Sequence, residues 1–209
     1  VYDLGLSTTP MVYYATATKG FEASVQITAS HNSKECNGMK VSTTDAAAVG
    51  YDAGLKLIKQ WIDEGRPTPV AGKPGQVFDK EIRQDYIDFL LSFKGDYSGL
   101  RLAMDLSNGM ANLFARTIFG DSPVYINEGL DGTFPAHEPN PLLPANTQQI
   151  RSLVREIGAD MGVIWDGDAD RVMFIDEKGN FISPDLIIAV LGHYYLKERG
   201  LKGIVLQDI

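Results

Sequence analysis

Met161-Gly162-Val163-Ile164-Trp165 and Val172-Met173-Phe174-Ile175-Asp176 are short apolar runs, and between them lies Asp166-Gly167-Asp168-Ala169-Asp170-Arg171. Runs of that length, rich in β-branched and aromatic residues, read as strands, so the polar hexapeptide is a loop joining two strands. Three carboxylates at alternate positions on a tight loop can converge on one hard cation. Magnesium takes few carboxylates and completes its shell with water or phosphate oxygens. Gly167 and Ala169 keep the intervening positions small. A calcium EF-hand loop is a competing reading, because Glu177 falls at the twelfth place after Asp166. Arg171, however, occupies the sixth place, where that loop needs glycine, and both flanks read as strands instead of helices. A plain acidic surface turn is the simpler alternative. Arg171 offsets only part of the repulsion among three close aspartates, which favours a metal site.

Outward from this loop, strand-like and helix-like segments alternate, the pattern of an α/β protein. Towards the carboxyl end, Pro184 to Arg199 reads as a helix ended by Gly200, and Gly203 to Ile209 as a strand. Towards the amino end, Thr147 to Ile157 reads as a helix with Thr147 as its cap. A long proline-rich loop precedes it, back to the short strand Val124–Asn127. Leu100 to Leu106 is a strand, Ser107-Asn108-Gly109 a turn and Ala111 to Phe119 a helix. A boundary falls near Lys94–Gly99. Before it, the expected helices are Asp45–Glu64 and Lys80–Phe93, with a proline- and glycine-rich loop over Pro67–Gly75. The expected strands are Phe21–Thr28 and Gly38–Ser42, and Phe21, Ala23, Val25 and Ile27 share one face. Met11 to Ala17 is a buried segment whose type Pro10 leaves open. The expectation is two consecutive α/β/α domains, each with a small mixed sheet flanked by helices. They span 1–96 and 97–204, and 205–209 begins a third. Both ends fall inside patterned segments, so a piece of a longer chain is expected.

A net charge of -8 over 209 residues lacks the basic balance of a general nucleic-acid binder. No apolar run has the length of a membrane span, and the first residues do not read as a secretory leader. The single cysteine, Cys36, excludes an internal disulfide framework and fits a reducing cytoplasm.

A second polar loop, Thr28-Ala29-Ser30-His31-Asn32, follows the first strand and closes at Asn37-Gly38-Met39-Lys40. A serine hydroxyl at a strand end can be a nucleophile or a phosphate carrier. His31 would orient or donate, and Lys40 would meet phosphate oxygens. A phosphorylated Ser30 carries close to two negative charges and needs compensation. The aspartate-bound magnesium and Arg171 would supply it if the two loops met. Alone, each feature has an ordinary structural reading. Asp105 to Gly109 lacks both the Walker and dinucleotide spacings and reads as a structural turn. His137 and His193 have no metal-ligand spacing; Trp61 and Trp165 read as packing residues.

With both loops quoted, the sequence resembles the α-D-phosphohexomutase superfamily, in its phosphomannomutase/phosphoglucomutase branch. Gly5-Leu6-Ser7-Thr8-Thr9-Pro10, the serine loop, Asp131-Gly132-Thr133-Phe134-Pro135 with His137-Glu138-Pro139-Asn140-Pro141, and the acidic loop carry the likeness in order. The resemblance implies a phosphotransferase acting within one sugar, interconverting hexose 1-phosphate and hexose 6-phosphate (mannose, glucose or both) through phosphorylated Ser30 and a bisphosphorylated sugar. It implies Ser30, His31, Lys40 and Arg171 as catalytic residues. It also implies one Mg2+ on Asp166, Asp168, Asp170 and a Ser30 phosphate oxygen, with glucose 1,6-bisphosphate as phosphorylating activator. The implied partners are hexose phosphates, for a cytoplasmic protein taken as a monomer, with no nucleic acid and no membrane. Ser33 stands where the family usually has proline, and Cys36 where it usually has tyrosine; Cys36 is expected to be a small filler. The family's third and fourth domains, which read the sugar and hold its second phosphate, would follow this chain, and an arginine tied to proton transfer would precede it. The chain alone is therefore expected to be a poor mutase. Phosphoglucosamine mutase is the near rival, which Thr28-Ala29-Ser30 and the His137–Pro141 segment disfavour. A non-catalytic magnesium-binding or interaction module is the rival from another class, and an aspartyl-phosphate enzyme a third, disfavoured by the late position of the acidic loop.

Overall fold

The computed structural model describes residues 1–67 and 72–206. Its first half runs β1 (Tyr2–Asp3), α1 (Thr9–Thr18), β2 (Ala23–Ile27), β3 (Met39–Thr43), α2 (Lys56–Asp63), β4 (Phe78–Asp79) and α3 (Arg83–Leu91). The segment whose type Pro10 left open is a helix. Thr8 caps it by accepting from the amide of Met11, and Pro10 lies in the first turn, where an N–H has no partner to lose. Met11 and Ala15 pack against Ile82, Tyr86, Ile87 and Phe114, so the core of this half already includes a residue of the second half. Among the described residues the strands of the first half form two separate pairs, β1 parallel to β4 and β2 antiparallel to β3.

Two expectations here need correction. The helix expected over Asp45–Glu64 is shorter: α2 begins only at Lys56, after a turn at Thr44–Ala46 and a wide turn at Tyr51–Leu55. Asp45 and Ala46 adopt left-handed backbone and Gly54 sits at φ 153, so no continuous helix can pass through them. Trp61, expected to pack, is exposed with Leu57, Ile58 and Ile62 of the same helix. The hairpin β2–β3 also turns its apolar side outward: Val25 and Ile27 are exposed, whereas Gln26, Lys40 and Ser42 face inward. Gln26 stands directly across from Lys40, so both project from one face, the polar one.

The second half runs β5 (Leu102–Asp105), α4 (Ala115–Phe119), β6 (Val124–Ile126), α5 (Gln148–Ile157), β7 (Met161–Trp165), β8 (Val172–Ile175), β9 (Phe181–Ile182) and α6 (Pro184–His193). Its strands make one mixed sheet in the order β6-β5-β7-β8-β9, parallel across β6, β5 and β7 and antiparallel thereafter. One face buries Ala103, Ile164 and Ile175 against Ile150 and Val154 of α5. The other buries Leu102, Met104 and Val163 under Tyr97, Phe119 and Trp165. Every residue of β5 is therefore buried, as the middle of a sheet covered on both sides requires. Each such aliphatic side chain contributes about 1.5–3 kcal/mol by leaving water. The fold is α/β, with small sheets flanked by helices.

The smaller departures have local causes. Thr147 does not cap α5; a 3-10 turn over Pro144–Thr147 precedes the helix, and the Thr147 hydroxyl donates to the Pro144 carbonyl. The helix expected over Ala111–Phe119 divides into a 3-10 turn at Met110–Leu113 and α4. The helix expected to reach Arg199 widens into a π turn at Tyr194–Glu198. Residues 203–206 carry no regular element, so the strand expected there is not formed; 207–209, with most of the expected third domain, lie outside the described residues, as do 68–71 of the expected loop. Among the described residues no helix is long and apolar enough to cross a membrane.

Candidate active site

The acidic loop is the β7–β8 hairpin turn, with Trp165 across from Val172. Asp166 organises it: its Oδ1 accepts the amides of Asp170 and Arg171, each at 3.1 Å. Asp166 and Asp168 are buried and Asp170 is more open, and carboxylate oxygens of all three lie within 4.8 Å of one another. Oδ1 of Asp168 is buried without a hydrogen-bond partner. A buried acceptor in that condition costs about 1–3 kcal/mol unless something meets it. An all-oxygen donor set with one bare oxygen suits a hard divalent cation, and the three aspartates could hold one. Burial, reinforced by the Asp168 and Asp170 charges, pushes the Asp166 carboxyl up to about 7; a cation would favour its ionised form. Asp168 moves the opposite way: burial opposes its ionisation, but bonds from Lys40 and Thr9 outweigh burial and hold it below the usual range.

The serine loop meets this turn from the first half. Ser30 Oγ lies 3.3 Å from Asp166 Oδ2, 3.4 Å from His31 Nδ1 and 3.5 Å from Lys40 Nζ. Lys40 also bridges Asp168 at 2.7 Å and Asp170 at 2.5 Å. Burial alone would lower the Lys40 pKa, but those two carboxylates raise it. His31 is lowered by burial and then by the charge of Arg171, which Asp168 offsets in part. The Arg171 guanidinium stands 3.9 Å from Asp170, and its charge is felt at His31 in the serine loop. Ser30, His31, Lys40, Asp166, Asp168 and Asp170 are thus brought together, with Arg171 at their margin. The hydroxyls of Thr9 and Thr28 also reach Asp168 Oδ2, at 2.6 and 3.2 Å. The cleft of about 1180 Å3 beside them is bordered by Ser30, Gly167, Asp168, Asn108 and Phe134.

Backbone geometry holds the loops at this separation. Ser30 has φ 56, a left-handed conformation that costs a non-glycine residue about 1–3 kcal/mol. Its amide donates to the Thr28 hydroxyl at 2.8 Å. Its carbonyl oxygen lies 2.5 Å from where a Cβ on Gly167 would stand, and a Cβ on Gly109 would in turn meet the Gly167 carbonyl at 2.8 Å. Only glycine fits either position. Cys36, expected to fill space, is exposed and shares a turn with half-buried Ser33, and both departures from the family pattern border the same cleft as Ser30.

Sequence reading missed the threonine hydroxyls and the pair His137–Asp105. His137 stands in the long loop and ties it to the sheet: Nε2 lies 3.1 Å from buried Asp105 and Nδ1 2.9 Å from the Glu138 carbonyl. Both contacts favour the doubly protonated, charged ring. Burial opposes that charge, yet the two bonds outweigh it and raise the His137 pKa. Asp105 at a strand end, followed by the polar turn Ser107-Asn108-Gly109, was the available signal.

A hydroxyl, an ammonium and three carboxylates around one point are the components of metal-assisted group transfer to or from a serine. Models of phosphoglucomutase/phosphomannomutase alpha/beta/alpha domains I and II match residues 1–67 and 84–179. The phosphomannomutase of Salmonella typhimurium is 36% identical over 210 residues, covering 95% of this chain and 46% of that protein. A phosphoglucosamine mutase of Streptococcus pyogenes is 34% identical over 216 residues, covering 96% and 45%. The crystal structure of a phosphoglucomutase/phosphomannomutase family protein from Burkholderia thailandensis superposes with a TM-score of 0.83 at 27% identity, over 95% of this chain and 45% of that one. The chain belongs to the α-D-phosphohexomutase superfamily, and it spans about half the length of the curated relatives it matches.

Proposed function

We propose that this chain carries the phosphoserine and magnesium side of a hexose-phosphate mutase site, built from a serine-bearing domain (1–96) and a metal-bearing domain (97–204). The observation that carries it is the approach of Ser30 Oγ to Asp166 across 136 residues of sequence, with Lys40 touching both loops. In the proposed reaction the bond between phosphorus and Ser30 Oγ breaks as one forms to a free hydroxyl oxygen of a hexose phosphate. The Ser30 oxygen takes a proton from Lys40, whose Nζ lies 3.5 Å away, and the proton lost by the attacking sugar hydroxyl returns to Lys40 through solvent, so the step balances. The bisphosphorylated sugar then turns and returns its other phosphate to Ser30. His31 holds the hydroxyl from the other side, and Arg171 adds positive charge beside it. Magnesium held by Asp166, Asp168, Asp170 and a phosphoserine oxygen would supply charge neutralisation on the transferring group.

The test is to incubate the chain with glucose 1,6-bisphosphate and Mg2+, then take its intact mass and map any phosphate. One added phosphate on Ser30, lost in Ser30→Ala and Asp168→Asn, is expected. Phosphate elsewhere, or none, would mean that further domains are needed for loading or that Ser33 and Cys36 disable the loop; a silent Ser30 in a full-length version would sink the mutase reading in favour of the non-catalytic module. A phosphoglucosamine mutase is the second reading, since the Streptococcus relative matches nearly as well as the Salmonella one. On a version extended through the sugar-reading domains, faster loading of Ser30 from glucosamine 1,6-bisphosphate than from the glucose or mannose compounds would establish it; the mannose/glucose reading expects the reverse.

A further inference from the structure

Oδ2 of Asp168 accepts the Thr9 hydroxyl at 2.6 Å, Lys40 Nζ at 2.7 Å and the Thr28 hydroxyl at 3.2 Å, while its Oδ1 accepts nothing. A carboxylate oxygen offers about two lone-pair directions, so Oδ2 is saturated and the asymmetry is complete. Thr9 is fully buried and grips twice, because its amide also donates to the Asp168 carbonyl at 3.2 Å. The Thr28 hydroxyl accepts from the Ser30 amide at 2.8 Å, so its one proton is left for Asp168. Both threonines belong to the first half of the chain and the carboxylate to the second.

We propose that Thr9 and Thr28 are positioning residues that set magnesium affinity, pinning Oδ2 of Asp168 so that its bare Oδ1 faces the cation. This rests on the reading of the acidic loop as a magnesium site. Without the hydroxyls the carboxylate is free to turn about its broad terminal torsion and bring Oδ1 to Lys40. A cation would then have to break that bond before binding. Metal binding is therefore coupled, through Asp168, to the contact between the two halves.

The test compares Thr9→Val, which keeps the shape and removes the hydroxyl, with Thr9→Ser, which keeps the hydroxyl. Mn2+ is titrated into each and followed by electron paramagnetic resonance, with Mg2+ competition and no sugar present. Thr9→Val is expected to weaken binding about 10–100-fold, the usual range for lost outer partners of a metal ligand. Thr9→Ser is expected to bind like the parent, and Thr28→Val to fall between. Parent-like binding by Thr9→Val, or equal loss in Thr9→Ser and Thr9→Val, overturns the proposal. If Thr9→Val does not fold, unchanged binding by Thr28→Val overturns it instead. A parent that binds no Mn2+ sinks the metal reading and this proposal with it; a binding parent with unaffected variants sinks the proposal alone.

Discussion

The five strands from β5 to β9 and the hairpin β2–β3 deliver the two halves of one site, yet they stand in opposite relations to water. The sheet buries apolar residues on both faces and presents the acidic loop at the ends of two interior strands, β7 and β8. The hairpin exposes Val25 and Ile27 and turns Gln26, Lys40 and Ser42 toward the interior. One half of the site is therefore fixed by burial, and the other by polar bonds to the first: Ser30 to Asp166, Lys40 and Thr28 to Asp168. Order in the serine loop is borrowed from the acidic loop.

That contrast can be broken most forcefully at Ile164, which is fully buried under α5. Ile164→Ala is expected to cost about 2–5 kcal/mol, read from urea unfolding, because it leaves a cavity in the core that carries the acidic loop. A loss below about 1 kcal/mol would show that the sheet does not set the stability of the site.

His137 gives a smaller and pH-dependent effect. Its folded pKa is raised, so its stabilisation is fully present below the unfolded value of about 6.5 and is lost as pH rises through the folded value. His137→Gln is therefore expected to cost about 1–3 kcal/mol in mildly acidic buffer and progressively less in alkaline buffer. A pH-independent difference in melting temperature would mean that the ring acts by packing alone.

Ile27 marks the opposite end of the contrast. Ile27→Ser, on the exposed side of the hairpin, is expected to change stability by no more than about 0.5 kcal/mol in the same unfolding assay. A loss comparable to that at Ile164 would show that this face is covered in solution.

Much of this was legible in the sequence wherever period and chemistry agreed. Met161–Trp165 and Val172–Ile175 form the expected strands because both are apolar runs around a polar turn. Charge gave a reason for the serine loop to meet the aspartates, since a phosphate carrier needs cations, but their meeting was implied only by the family resemblance. What stayed hidden was direction and strain. Alternation in β2 shows that Ala23, Val25 and Ile27 share a face, but periodicity alone cannot say which face meets water. Nor does the sequence announce that Ser30 takes a left-handed backbone or that Thr9 reaches Asp168, because both depend on how the halves dock. The helix over Asp45–Glu64 failed for a readable reason, since Gly50 and Gly54 interrupt an otherwise helical spacing.

Gly109, Gly167 and the carbonyl of Ser30 lie in a stack with no side chain between them. In mechanical terms the two glycines are shims of minimum thickness. The separation of the two loop backbones is then set by the radii of main-chain atoms, which do not change with rotamer or temperature. A spacing made of side chains would drift as those side chains hop between wells; this one can change only if a whole loop moves. The distance between the loops that carry the reacting groups is thereby set by the least adjustable part of the polypeptide.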